Sequence, residues 1–293
     1  MSTTVGLLLA LGSAVFKSTK SITTKIAATG TDEYITSFAT RIIGAFVFLS
    51  LILSLQSFYI PEQRIFWISL SINSVLLGLT TILFTKALKI SDVSIISPIM
   101  ALIPVVVALP AFFVLGEIPT VPASFGLILV GVGAYSLNID ERSNGYMEPF
   151  RKILVDRGVQ YTVLGLITAA FIPSFDKIGI EASDPFTWVF YQHLGSAVFI
   201  LFAVFMFTDD LSVSGKGLKI LFVVGLANSA IWIFQSHAYE LTQVAYVQAV
   251  KRVSILISVV VGHYYFKEED LRQRVVGAFL MLIGVILIGV GAG

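Results

Sequence analysis

The sequence predicts an all-α membrane protein of ten transmembrane helices, laid out as two inverted five-helix repeats. Three observations predict it. Hydrophobic residues fill 56% of the 293 positions and charged residues only 13%, far more apolar surface than one soluble core requires. Ten stretches reach the length, about 17 to 25 helical residues, that crosses roughly 30 Å of hydrocarbon. The chain also repeats itself at an offset of 151 or 152 positions: Lys25 and Ile26 fall on Lys177 and Ile178, Asp32 on Asp184, Phe38 on Phe190, Ala45 on Ala197, Val93 on Val244, Glu117 on Glu268, Gly126 on Gly277 and Gly133 on Gly284.

The first repeat, residues 1–138, carries spans at 5–27, 34–55, 65–87, 92–115 and 121–138. Breakers and charges separate them: Gly30 to Glu33, Pro61-Glu62, and Gly116-Glu117-Ile118-Pro119. A connector over 139–158 follows, with Arg142, Arg151, Lys152 and Arg157 among several acids and a short interfacial helix expected over 149–155. The second repeat, 159–293, carries spans at 159–180, 186–207, 217–239, 244–266 and 272–291, punctuated by Ser183-Asp184-Pro185 and by Lys267 to Asp270. The runs are continuously apolar, which selects helices over barrel strands that would alternate. Because five is odd, the second copy enters the bilayer from the opposite side, so the halves lie inverted, as in many secondary transporters.

No loop is long enough to fold into a catalytic domain outside the membrane. The N-terminus lacks a basic leader region and its first stretch is too long for a signal peptide, so it reads as a retained span. With no cysteine, disulfides and thiol chemistry are excluded. Loops after odd-numbered spans collect twelve of the lysines and arginines, and those after even-numbered spans collect only Arg64 and Lys177. That bias places both termini outside the cell membrane and the connector in the cytoplasm.

Five basic residues remain inside spans: Lys17, Lys20, Arg41, Lys251 and Arg252. A charge at a helix centre in lipid costs about 2.5–3.5 kcal/mol on insertion scales, so such groups face a polar cavity or a partner. Asp176 is the one in-span carboxylate. Lys17 lies near the midplane with Lys20 one turn on, whereas Arg41 is close enough to a span end to snorkel. Lys251 and Arg252 are adjacent, about 100° apart around their helix, and flank one cavity. Ammonium and guanidinium together suit phosphate or carboxylate oxygens. The competing reading is a packing pair bridged to Asp176 and to backbone carbonyls.

The two-copy, ten-span plan, with Leu115-Gly116-Glu117 followed by the glycines from Gly126 to Gly133, and Phe266-Lys267-Glu268 followed by Gly277 to Gly284, resembles the EamA-type transporters of the drug/metabolite transporter superfamily. The likeness covers essentially the whole chain and makes 1–138 and 159–293 EamA-like repeats. The run Ala249-Val250-Lys251-Arg252-Val253 also resembles the sugar-phosphate and nucleotide-sugar branch, where a basic pair in this helix contacts substrate phosphate. The pair also occurs in EamA-type sequences of unassigned substrate. Lys267 departs from the family's glycine, which bears on the local turn.

The resemblance implies alternating access with a small polar cargo, taken here as an anionic metabolite. The alternatives are neutral or zwitterionic amino acids or drugs, and more remotely an intramembrane enzyme or a channel. Lys251, Arg252, Lys17 and Lys20 are the candidate cargo ligands, with neutral support from Gln248, Trp232, Gln235, His193 and Tyr246. Trp232 and Tyr246 also suit plain packing. Asp176 is the candidate for proton coupling, the other route being a counter-substrate, although its place near a span end argues against it. Pro98, Pro104 and Pro173 are candidate hinges or simple kinks. Glu117 and Glu268 read as turn and helix-end hydrogen-bonding groups rather than proton relays. Gly126, Gly133, Gly277 and Gly284 suit close packing of spans five and ten, within a protomer or in a homo-oligomer. The three histidines lack metal-ligand spacing, no serine lies in a nucleophile elbow, and nothing points to a cofactor or nucleic acid.

Overall fold

In a computed structural model the chain is described at residues 2–27, 32–138, 147–151, 153, 155–208, 211–257 and 271–292. The described residues are almost wholly helical and include no strand. In order they form α1 (Ser2–Ala27), α2 (Glu33–Leu55), α3 (Arg64–Ile90), α4 (Val93–Ala101), α5 (Ile103–Pro110), α6 (Val121–Asn138), α7 (Glu148–Arg151), α8 (Arg157–Glu181), α9 (Pro185–Phe207), α10 (Gly215–Leu241), α11 (Val244–Val250) and α12 (Leu271–Ala292). Five of these are long and apolar enough to cross a membrane, and α4 with α5 makes a sixth, bent span; α6 and α12 hold shorter apolar runs.

Duplicated residues do duplicated work. Asp32 caps α2 by accepting from the Tyr34 N–H, and its repeat-mate Asp184 caps α9 by accepting from Phe186 and Thr187. Within the connector a single turn, α7, begins at Glu148; residues 152 and 154 of the helix expected over 149–155 lie outside the described residues.

The fourth span departs from a continuous run over 92–115. It breaks at Leu102, and the two parts are bent by 43°. Pro104 has no N–H for the Met100 carbonyl, so the ladder cannot run through. After Pro110 the helix loosens into a π turn over Ala111–Leu115 and ends at Gly116, whose φ of 68° is cheap only for glycine. The ninth span breaks at nearly the matching place, without a proline. α11 stops at Val250, Lys251 and Arg252 form a turn, and helix resumes over 253–257. The rest of that expected span, and Glu268 with it, lies outside the described residues.

The helices pack across the repeats. α1 lies on α10 and its equivalent α8 lies on α3, while α2 pairs with α9, α6 with α12 and α5 with α11. This is the pairing a two-fold axis between the halves requires. Spans five and ten meet within the protomer through their glycines: a methyl on Gly126 would stand 2.5 Å from the Gly284 carbonyl, and one on Gly133 2.5 Å from that of Gly277. Polarity is arranged for lipid. Phe46, Phe113, Phe125, Val198 and Phe205 face outward, whereas Ser13, Ser18, Asn73, Asp176, Gln192 and His193 are buried.

Candidate functional site

The break in the ninth span sets up the basic site. A continuous helix would spend its carbonyls internally; here the backbone tightens, with Arg252 N–H bonding Ala249 O and Ile255 N–H bonding Arg252 O. The Arg252 guanidinium crosses to the other broken span, where its Nη2 donates to Met100 O at 3.1 Å. That carbonyl is the one Pro104 leaves without a helical donor. The two breaks therefore complete each other. Arg252 Nε stays buried without a partner.

Lys251 Nζ donates to Gln235 Oε1 on α10. Gln235 Nε2 in turn donates to the Tyr239 hydroxyl at 2.9 Å, and Gln248 Nε2 donates to the same hydroxyl. Facing this from α1, Lys17 lies within electrostatic reach of Arg252, Lys251 and Lys20. Ser18, beside Lys17, donates to Ser254 O and ties α1 to the resumed ninth span. Lys20 Nζ donates to Asn228 Oδ1 at 2.9 Å, and the Asn228 amide nitrogen lies 3.5 Å from His193 Nε2. His193 Nδ1 sits 2.8 Å from Val189 O, which assigns the proton to Nδ1 and leaves Nε2 as acceptor. Trp232 closes on the imidazole edge at 5.8 Å. Arg41 reaches the same group, within electrostatic range of Lys20 and Asp176.

All five in-span cations are thus brought together, and each is half-buried rather than sealed. Among the described residues none of Lys17, Lys251 and Arg252 forms an ion pair with a carboxylate. A group of positive charges with polar walls and residual exposure has the chemistry to receive anionic oxygens.

Asp176 lies near the end of α8, as the sequence suggests, yet it is completely buried. Its Oδ1 accepts from Asn73 Nδ2 and Gln192 Nε2, both at 2.9 Å, and from Trp188 Nε1 at 3.1 Å. Sequence reasoning missed Asn73, Trp188 and Tyr239. Asn73 was findable as an amide in mid-span three, where a polar group in hydrocarbon needs a reason.

Tyr246 stands apart from the cations. It is buried at the start of α11, and its hydroxyl accepts from the Thr120 N–H at 3.2 Å. Pro173 is buried within α8, and Pro98 within α4. Glu117 occupies the face that carries the loops after even-numbered spans. Its Oε1 takes the Lys177 ammonium at 2.7 Å and its Oε2 accepts from the Val244 N–H at 2.9 Å, which caps α11. Burial pushes the Glu117 carboxyl up, against the opposing pull of Lys177 and the Val244 N–H. Helix-end bonding is what this glutamate does here.

Comparison with known proteins agrees with the two-repeat fold. The family model described as the EamA-like transporter family matches residues 4–139 and 156–290, one match per repeat. No curated protein matches the sequence. A solved structure titled only "Crystal structure of protein" superposes with a TM-score of 0.79 at 14% identity, over 96% of this chain and 95% of its own, which establishes the shared fold. The chain belongs to the EamA-like transporter family of multi-pass membrane proteins, transporters of the drug/metabolite superfamily rather than enzymes.

Proposed function

We propose that the protein moves a small anionic metabolite, a carboxylate or phosphate ester, across the cell membrane by alternating access. One observation carries this reading: Lys17 of the first repeat and Lys251 and Arg252 of the second converge without a carboxylate partner among the described residues. An uncompensated positive cluster at membrane depth is costly unless an anion visits it. The walls are completed by Lys20, Gln235, Gln248, His193 and Trp232. The halves rock about this group, with the bend at Pro104 as a hinge and both termini external.

A second reading has its own support. Lys251 is held by Gln235 and Arg252 by Met100 O, so each basic group already has an internal hydrogen bond. That favours a neutral or zwitterionic cargo such as an amino acid. Thermal stabilisation of the purified protein by a panel of carboxylates, phosphate esters, amino acids and organic cations decides between them, because a ligand of the folded state raises Tm by mass action. The anion reading requires stabilisation by acids or esters and fails if only amino acids or cations act. Single cysteines in this cysteine-free chain test the orientation: one at Ser2 should label with impermeant reagent in intact cells and one at Ser143 should not.

A further inference from the structure

Asp176 is bonded on one side only. Three N–H donors, from Asn73, Gln192 and Trp188, converge on Oδ1, while Oδ2 is buried with no partner among the described residues. The oxygens of the two amides that donate to Oδ1 share that condition: Asn73 Oδ1 and Gln192 Oε1 are buried and, among the described residues, unpartnered. Their amides are not open to flipping, because each turns its nitrogen to a carboxylate oxygen, and Asn73 Nδ2 also donates to Ile172 O at 3.1 Å. An amide's oxygen lies about 2.2 Å from its nitrogen, so both orphan oxygens fall within about 5 Å of Asp176 Oδ1. Helices α3 and α9 therefore bring two bare amide oxygens to a buried carboxylate on α8 that is itself bare on one side. Each is expensive alone, and among the described residues no donor or cation bonds any of them, the Arg41 guanidinium acting on the carboxylate only at a distance.

We infer that Asp176, Asn73 and Gln192 hold a monovalent cation, either a proton on Asp176 Oδ2 or a dehydrated Na⁺ among the three oxygens. Hard oxygen donors of this kind suit either occupant. The groups facing Asp176 from the surrounding elements are Arg41 of α2, Lys251 after α11 and the Tyr239 hydroxyl of α10, while α3 and α9 contribute neutral amides and an indole. While the site is vacant, the Asp176 charge attracts Lys251 and competes with any anion there. Filling it removes that competition, so cation and anion bind with mutual reinforcement, which is symport. This last step rests on the anion reading above; the cation site does not.

The test uses the purified full chain without any anionic cargo. Tm is measured against pH in choline chloride, and against NaCl at fixed pH with ionic strength held by choline. The wild type should be stabilised by Na⁺ if the metal ion is held, or should carry a pH response absent from Asp176→Asn if the proton is. Lys251→Gln removes a repelling charge and should tighten the response about tenfold in Na⁺, or raise its midpoint by about one pH unit. Gln192→Ala provides the reading if Asp176→Asn does not fold: it weakens a Na⁺ response, or moves a proton response upward by deleting a donor to the ionised form. A wild type indifferent to Na⁺, with a pH profile parallel to those of the variants, overturns the cation site. Failure of the anion panel leaves these responses in place, so the two ideas fall separately.

Discussion

Glu117 and Lys177 come from different repeats, and their side chains meet at 2.7 Å on the face that carries the even-numbered loops. Both are largely buried, at 9% and 15% side-chain exposure, and Lys177 also donates to Thr242 O at 3.1 Å. One ion pair thus joins the end of span four, the end of span six and the turn into span nine. Burial already works against the Glu117 charge, so the pair holds position more than it adds stability. Removing one partner strands the other. We expect Glu117→Ala or Lys177→Ala to destabilise by about 3 kcal/mol, and Glu117→Leu with Lys177→Leu by much less than the sum. Equal and additive losses in Tm would assign the two residues no joint role.

The caps of spans two and seven give a pH dependence with a definite sign. Burial raises the Asp184 carboxyl, but Thr187, Tyr59 and Gln56 outweigh it and hold the group below its usual range. Asp32 behaves alike through Tyr34, Lys89 and Thr208, again against burial. A depressed folded pKa contributes stability that is fully present above the unfolded value, about 3.9, and is lost as pH falls through the folded value. The wild type should therefore lose Tm below about pH 4 more steeply than Asp184→Asn, which has already given up the charge. Parallel acid limbs for the two proteins would contradict the assignment.

The glycine seam between spans five and ten should tolerate no added volume. A side chain at Gly126 or Gly284 meets the opposing backbone carbonyl rather than a side chain that could turn away. Gly126→Ala is expected to cost about 1–3 kcal/mol, the usual range for overpacking, and Gly126→Leu more. Gly289, with open space around its Cβ position, is the control. Comparable losses at Gly126 and Gly289 would show that the contact does not matter.

Much of the frame was legible because its causes are local. The length of each apolar run places α6 at 121–138, as expected, and Asp32 and Asp184 announce themselves as polar breaks before apolar runs. The break at Lys251 and Arg252 was not legible. Nothing in Val250-Lys251-Arg252-Val253 interrupts a helix, and the cause is tertiary, a guanidinium claimed by a carbonyl 152 positions away. Asn73 was legible as a polar group in mid-span three but its partner was not, because that depends on span three meeting span six, which no periodicity within one copy specifies. Tyr246 reads as a cargo ligand by type, yet one turn into α11 its hydroxyl meets Thr120 instead.

The basic pair carries the cargo hypothesis. Lys251→Gln or Arg252→Gln should weaken binding of a stabilising anion by about 1.5–3 kcal/mol, the worth of a charge-assisted hydrogen bond. Arg252→Gln should also lower Tm, since the Met100 carbonyl loses its donor, whereas Lys251→Gln keeps an amide donor for Gln235. Isothermal titration and thermal unfolding on the same preparations separate the two effects. A double variant that folds and transports at the normal rate and affinity would move the cargo to the neutral class.

Pro104 and Arg252 together define the hinge experiment. The proline withholds the donor that Met100 O would take in a straight helix, and Arg252 supplies one from the other repeat. Pro104→Ala restores that donor in place, within the same helix, so the arginine loses its competition for the carbonyl and the 43° bend loses its cause. If the bend is used in motion, a straighter span four resists the change of state, while Lys251 keeps its bond to Gln235. Transport turnover should then fall about fivefold for a shift of about 1 kcal/mol, the net worth of one hydrogen bond, with binding of the stabilising ligand little altered. Turnover measured in proteoliposomes, set beside ligand affinity in detergent, reads the two quantities separately; unchanged turnover with unchanged affinity would remove Pro104 from the mechanism.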